Sequence, residues 1–139
     1  MDRDEMRNRL AAARVGRLAT VTSEGHPHLV PVCFTIAGPD DTIVSAVDAK
    51  PKRTTELRRL ANLQANPAVS LLVDHYDDDW SQLWWVRVDG SARVVRAGIA
   101  YDESITALTA KYPQYGEAPP SGPAIVITPT SWHGWTFAE

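Results

Sequence analysis

A single cysteine, Cys33, leaves the chain no means of closing an internal disulfide, so the fold must rest on packing and hydrogen bonds, as suits a reducing intracellular compartment. No apolar run approaches the length that spans a bilayer. The first residues, Met1-Asp2-Arg3-Asp4-Glu5, are too polar for a signal peptide, and a cytoplasmic protein with no membrane partner is expected. An excess of positive charge is missing as well. Lysine and arginine number 14 against 17 acidic residues, a net charge of −3, which excludes general nucleic-acid binding driven by phosphate neutralisation. Neither a Gly-x-Gly-x-x-Gly fingerprint nor a P-loop occurs, so nucleotide triphosphates and Rossmann-type nicotinamide binding lack support. Gly-x-Ser-x-Gly is absent too, and Cys33 lies in an apolar run that suits an inert core thiol. His26 and His28 stand two apart while His75 and His133 are remote, and with no paired cysteines there is no metal signature. Asp77 to Asp79 read as a solvated turn.

What is present suits one globular domain: 139 residues, 44% apolar and 22% charged. Residues 2 to 13 predict a helix, with acids early, arginines later, and Met6, Leu10 and Ala13 at helical spacing. Val15 to Thr22 and Leu29 to Ala37 predict a hairpin around Ser23-Glu24-Gly25-His26-Pro27. Pro31, which cannot donate to a sheet ladder, marks the second run as an edge, a bulge, or a place where a ligand meets the backbone. Gly38 to Asp41 would turn the chain into Thr42 to Val47 and complete a three-stranded meander. A helix over about Thr54 to Gln64, with Leu57, Leu60 and Ala61 on one face, stops at Asn66-Pro67. Ala68 to Tyr76 is a strand with Val69, Leu71 and Val73 pointing one way. Residues 98 to 112 return to helical spacing, Tyr115 to Gly122 read as a loop, and Ala124 to Thr128 as a last strand.

Two stretches carry the functional signal. In Ser45 to Leu57 a β-branched strand runs into a tight loop and the first turn of a helix, crowding Lys50, Lys52 and Arg53 around N–H groups with no intrahelical partner, a physical recipe for holding phosphate. In Leu83 to Val95, alternation puts Trp84, Val86 and Val88 on one side and Leu83, Trp85, Arg87 and Asp89 on the other, so only the first is simply a core face; Gly90 predicts a bulge or bend. Five tryptophans cluster in or near residues 80–85 and 132–135, more than a small core requires, which suggests a buried interface or a platform for a flat ring. The pattern predicts a mainly β protein, an antiparallel split β-barrel of about six strands with two or three flanking helices.

These motifs converge on a known family. Gly25-His26-Pro27-His28-Leu29-Val30-Pro31-Val32, Val44-Ser45-Ala46-Val47 followed by Lys50-Pro51-Lys52-Arg53, Asn66-Pro67 with Val69-Ser70-Leu71, Val86-Arg87-Val88-Asp89-Gly90-Ser91-Ala92-Arg93-Val94 and Lys111-Tyr112-Pro113 together resemble the pyridoxamine-phosphate-oxidase-like split β-barrel family. Asp77-Asp78-Asp79-Trp80-Ser81 and Ile127 to Trp135 look most like its branch that uses the deazaflavin coenzyme F420. The resemblance spans nearly the whole chain. It implies a homodimer with two flavin or deazaflavin sites at the subunit interface. By that analogy Lys50 and Lys52 grip the cofactor phosphate with Arg53 assisting, Ser45 and Ala46 line the ring-side wall, and Val30, Pro31 and Val32 present backbone to the ring edge. Trp80, Trp85 and the Trp132-His133 segment would come from the opposing subunit or the C-terminal rim. Trp85 stands where relatives that bind flavin mononucleotide (FMN) tend to carry a polar residue, which weighs against FMN.

Charge-assisted hydrogen bonds contribute roughly 1.5–3 kcal/mol each, so two or three cations supply about half of the ~8 kcal/mol behind micromolar binding, and ring stacking much of the rest. The activity implied is hydride transfer from reduced deazaflavin to a conjugated small-molecule substrate, with solvent, His133 or Tyr112 as proton source and no residue singled out as catalytic. FMN is the rival cofactor. A cofactor carrier without turnover, or a protein-interaction module built on the tryptophans, are the rivals from other classes.

Overall fold

The structure, a computed structural model, describes residues 1–47 and 54–138, with the side chains of all of these except residues 54–57. Helix α1 (Arg3–Ala12) is followed by strands β1 (Gly16–Val21), β2 (Pro27–Val32), β3 (Thr35–Ile36) and β4 (Ile43–Ala46). Then come helix α2 (Thr54–Ala65), β5 (Ala68–His75), β6 (Trp84–Val95), α3 (Ile99–Lys111), the one-turn α4 (Gln114–Glu117) and β7 (Ala124–Thr136). All seven strands join one antiparallel sheet in the order β2-β1-β5-β6-β7-β4-β3, curled into a half-barrel.

The curl encloses one main core. Reading across the sheet, Val30, Leu18, Leu71, Val88 and Trp132 stand in register and face inward, and Val73, Val86, Ile125 and Ile127 join them. Each fully buried leucine or isoleucine here is stabilising by about 1.5–3 kcal/mol. Asp2 caps α1 by accepting from the Glu5 amide at 2.8 Å, and Met6 and Leu10 enter the core. Gly134 lets that helix approach β7: a Cβ there would lie 2.9 Å from the Met6 sulfur. Arg3 and Arg7 both pair with Asp41, at 3.0 and 2.6 Å, latching α1 to the turn between β3 and β4 and holding the Asp41 carboxyl below its usual range. Helix α2 inserts Leu60 and Leu63, and buried Asn62 donates to Thr20 Oγ1 at 3.0 Å.

A second, smaller core lies outside the sheet, where α3 covers β4 and the first half of β7: Val44, Val126, Leu108 and Tyr112 form it. The boundary between the covered and uncovered outer surfaces coincides with a bulge. Asp89 pairs with Ser131 but Gly90 with Pro129, leaving Thr130 as the extra residue, whose hydroxyl donates to the Asp89 carbonyl at 3.0 Å. Gly90 is required at this point because a Cβ would sit 2.5 Å from the Thr128 carbonyl oxygen.

The predicted split barrel is present, and the described residues form seven strands and four helices rather than about six and two or three. Several local expectations are corrected: residues 115–117, read as part of a loop, belong to α4. The run 29–37 breaks at Cys33 and Phe34, so β2 stays with β1 at one end of the sheet while β3 pairs with β4 at the other, and no three-stranded meander forms. The last strand continues through Thr136, because β6 offers a ladder along its whole length. Ala61 is exposed, and Leu63 instead shares the buried face with Leu60. Pro31 falls on an edge strand, one of the readings its missing N–H allowed.

Candidate functional site

Alternation that fills the core also builds an outer surface. Pro31, Arg17, Leu72, Arg87 and His133 form one outward row across β2, β1, β5, β6 and β7, and Leu29, Ala19, Ser70, Asp89 and Ser131 form the next. A third short row is Asp74, Trp85 and Trp135. Among the described residues no helix packs on this face, and Leu29 is left 65% exposed and Trp135 39%.

At its middle sits a polar network. The Asp89 carboxylate accepts from Ser70 Oγ at 2.7 Å, from Arg87 Nε and Nη2 at 3.0 and 3.3 Å, and from Ser131 Oγ at 3.4 Å. His133 Nε2 lies 3.6 Å from Asp89 Oδ2 and 3.3 Å from Ser131 Oγ. Burial alone pushes the Asp89 carboxyl up, but the Ser70 and Arg87 hydrogen bonds and the nearby charges of Arg87 and His133 bring it below its usual range, so it is ionised at neutral pH. The Arg87 guanidinium carbon lies 6.0 Å from the centre of the Trp85 ring. Chemically this is a half-apolar face with an imidazole held beside a carboxylate, able to seat a planar ring against Trp85 and to pass a proton at His133.

The residues singled out in the sequence divide between the two faces. Pro31, Trp85 and His133 share the outer one. Val30, Val32 and Trp132 point into the core, where Trp132 lies under the Arg3 guanidinium at 4.3 Å. Ser45 is buried with its hydroxyl donating to the Cys33 carbonyl at 2.7 Å, and Ala46, its neighbour on β4, faces the core under α3. Trp80 stands apart in a one-turn 3-10 helix, Trp80–Gln82, 68% exposed and capped by Asp79. Lys50, Lys52 and Arg53 lie outside the described residues. Tyr112 is committed elsewhere: its buried hydroxyl accepts from the Phe34 amide and donates toward backbone carbonyls, and burial raises its pKa, so it does not serve this face as a proton source.

Alternation along β6 already set Arg87 and Asp89 apart from the core. Ser70 and Ser131 could not be placed beside them, because their proximity depends on cross-strand register.

A family model described as pyridoxamine 5'-phosphate oxidase matches residues 2–136. The chain belongs to the pyridoxamine 5'-phosphate oxidase family. Comparison with curated proteins found no match. Solved structures of the same split-barrel fold include a conserved hypothetical protein from Mycobacterium tuberculosis, 23% identical with a TM-score of 0.78, covering 99% of this chain and 86% of that one. A FAD-binding protein from Mesorhizobium loti is 22% identical with a TM-score of 0.73, covering 96% and 94%. The heme storage protein HutZ from Vibrio cholerae is 15% identical with a TM-score of 0.70, covering 96% and 90%. At these identities the likeness is one of fold. As a member of the pyridoxamine 5'-phosphate oxidase family the chain has a split barrel in which no described helix is long and apolar enough to cross a membrane.

Proposed function

We propose that this protein is an oxidoreductase that works as a homodimer and holds coenzyme F420, with FMN as the alternative cofactor, between the outer sheet faces of two copies, reducing a conjugated small molecule. The observation that carries this reading is the uncovered outer face, with Trp85, Leu72, Pro31 and Leu29 supplying apolar surface around the Asp89–His133 pair. These residues fit a flat ring: Trp85, Leu72, Pro31 and Leu29 offer aromatic and apolar contact, and the Asp89 network beside them offers hydrogen-bonding groups to its polar edge. Lys50, Lys52 and Arg53 would hold the phosphate tail, and the backbone of Val30, Pro31 and Val32 would meet the ring edge. Ser45 acts indirectly, fixing the Cys33 carbonyl and with it the end of β2, while Trp132 backs the site from within and Ala46, on the outer side under α3, would border it. Trp80 would close the rim from the partner subunit.

The cofactor, when bound, supplies hydride transfer. The chain's own share is to orient the ring, to exclude water once two faces meet, and to hold a proton at His133 Nε2 beside the Asp89 carboxylate. Family membership supports the flavin-type cofactor, and solved structures of the same fold include FAD-binding proteins. A carrier reading is favoured by one observation: relatives of this fold are described as heme-binding and heme storage proteins.

Titration with F420 and with FMN, followed by tryptophan fluorescence on wild type and Lys52→Ala, tests the site. Loss of affinity by about tenfold in the variant is expected, since one charge-assisted hydrogen bond is removed. Equal affinity would remove Lys52 from the site. Anaerobic mixing of the reduced complex with a panel of enones then separates enzyme from carrier: reoxidation that depends on the enone supports turnover, and binding without it leaves the carrier.

A further inference from the structure

Away from the Asp89 network, two adjoining cavities of about 580 and 410 Å³ open where α1 crosses the ends of β1, β5 and β6. They share Arg9, His75 and Trp84, so together they form one bent cleft with those three side chains as its waist. The waist is a stack. The Arg9 guanidinium lies 4.9 Å from the centre of the Trp84 ring, steered there by Glu5 at 3.0 Å, and the His75 ring lies 6.5 Å from the indole with 25° between planes. The larger lobe is lined further by Arg14, Arg17 and Asp74.

Charge in this lobe is unbalanced. Three arginines line it against two carboxylates: Glu5 is taken by Arg9, and Asp74 by Arg17 at 3.1 Å. Arg14 has no carboxylate within ion-pair distance among the described residues. It donates one Nη2 bond to the Lys111 carbonyl at 3.1 Å and lies over the Tyr112 ring at 4.7 Å. Its field is felt nearby, since Lys111 is pushed down to about 8 by burial and by the Arg14 charge. Arg14 and Arg17 are both exposed and keep unused N–H groups, the arrangement that recognises a two-oxygen anion through paired donors. A cavity of this size takes a ligand of two or three fused rings.

We infer that the cleft between α1 and the Trp84 end of the barrel is a binding site for a planar conjugated carboxylate, with its ring against Trp84 and His75 and its anionic head between Arg14 and Arg17. Arg17 and Asp74 also stand at the α1 edge of the outer sheet face, but none of the residues named above as holding the cofactor lines the cleft, and the probe is read at Trp84 on the inner side, so the two readings fail separately. A ring entering here meets the aromatic and guanidinium groups of the waist in a lobe that Ala12 and Ala13 also line, so stacking and apolar contact act together.

The test uses cofactor-free protein with 1-naphthoate as probe and 1-naphthamide as its uncharged counterpart, followed by nitrogen-15 NMR of the indole N–H groups, the Trp84 signal being identified by its absence in Trp84→Phe. Naphthoate is expected to shift that signal saturably, with the amide at least about tenfold weaker and Arg14→Gln weakening naphthoate by about the same factor. Equal binding of acid and amide, or no saturable shift of Trp84 at millimolar naphthoate, would overturn the inference, as would a folded Arg14→Gln that binds like wild type. The comparison of acid with amide decides the matter on wild type alone if that variant does not fold.

Discussion

The Tyr112 hydroxyl oxygen lies 3.0 Å from the amide nitrogen of Phe34 and 2.9 Å from its carbonyl oxygen, so one phenol grips both polar groups of the residue at which the chain leaves β2 for β3. The Arg14 carbonyl is within 3.0 Å of the same oxygen, which ties the end of α1 into the joint. Phe34 itself is fully buried. Here the strand that would have continued along one edge of the sheet is redirected to the other.

Replacing Tyr112 with phenylalanine keeps the ring and removes the grip. The Phe34 amide then loses its partner in a buried place, an uncompensated loss worth about 1–3 kcal/mol. Denaturant unfolding of Tyr112→Phe should show a lowered midpoint of that size with an unchanged slope.

Lys111 predicts a distinctive alkaline response. Its amine donates to the Phe34 carbonyl at 2.9 Å, but burial and Arg14 hold its pKa to about 8, below the 10.5 usual for lysine. Between about 8 and 10.5 the unfolded chain therefore binds the proton that the folded one has lost, and stability rises with pH through that window. Tyr112, whose pKa is raised, acts in the opposite sense only above about 10, where an unfolded tyrosine ionises. Melting temperatures followed from pH 7.5 to 9.5 should climb for wild type relative to Lys111→Met; parallel profiles would count against the shift.

Gly90→Ala places a methyl group 2.5 Å from the Thr128 carbonyl oxygen, on backbone that the bulge holds in place. A cost of about 1–3 kcal/mol is expected from forced backbone displacement. Thermal unfolding measures it, and Ser91→Ala, at the neighbouring exposed position, serves as the control.

Leu29→Asp tests the assembly proposed for the outer face. Because Leu29 is 65% exposed, the substitution should leave protomer stability within about 0.5 kcal/mol. A charge set into a contact between two copies should nevertheless shift the light-scattering mass from dimer toward monomer. A variant that stays as dimeric as wild type would place the contact elsewhere.

Much of this architecture was legible because its determinants are local. Asp2 with Met6 and Leu10, the alternation of Val69, Leu71 and Val73, and Gly90 as a bulge site each declare themselves within a few residues. The break at Cys33 and Phe34 was not legible. It depends on Tyr112, 78 residues away, and on the Ser45 hydroxyl, neither of which leaves a trace in local composition. For the same reason the candidate outer face was half visible. Arg87, Asp89 and Trp85 stood out on one strand, but Ser70 and Ser131 reach them only across neighbouring strands, and Ser45, Val30 and Trp132, which family resemblance set beside a ligand, turn inward instead.

The extra residue at Thr130 acts as a parity switch. In β7, odd-numbered Ile125 and Ile127 point inward before it, and even-numbered Trp132 and Gly134 point inward after it. Deleting one amino acid there would exchange the two environments, driving the His133 imidazole into oil and the Trp132 indole into water, so this position should accept many side chains yet never a change in length.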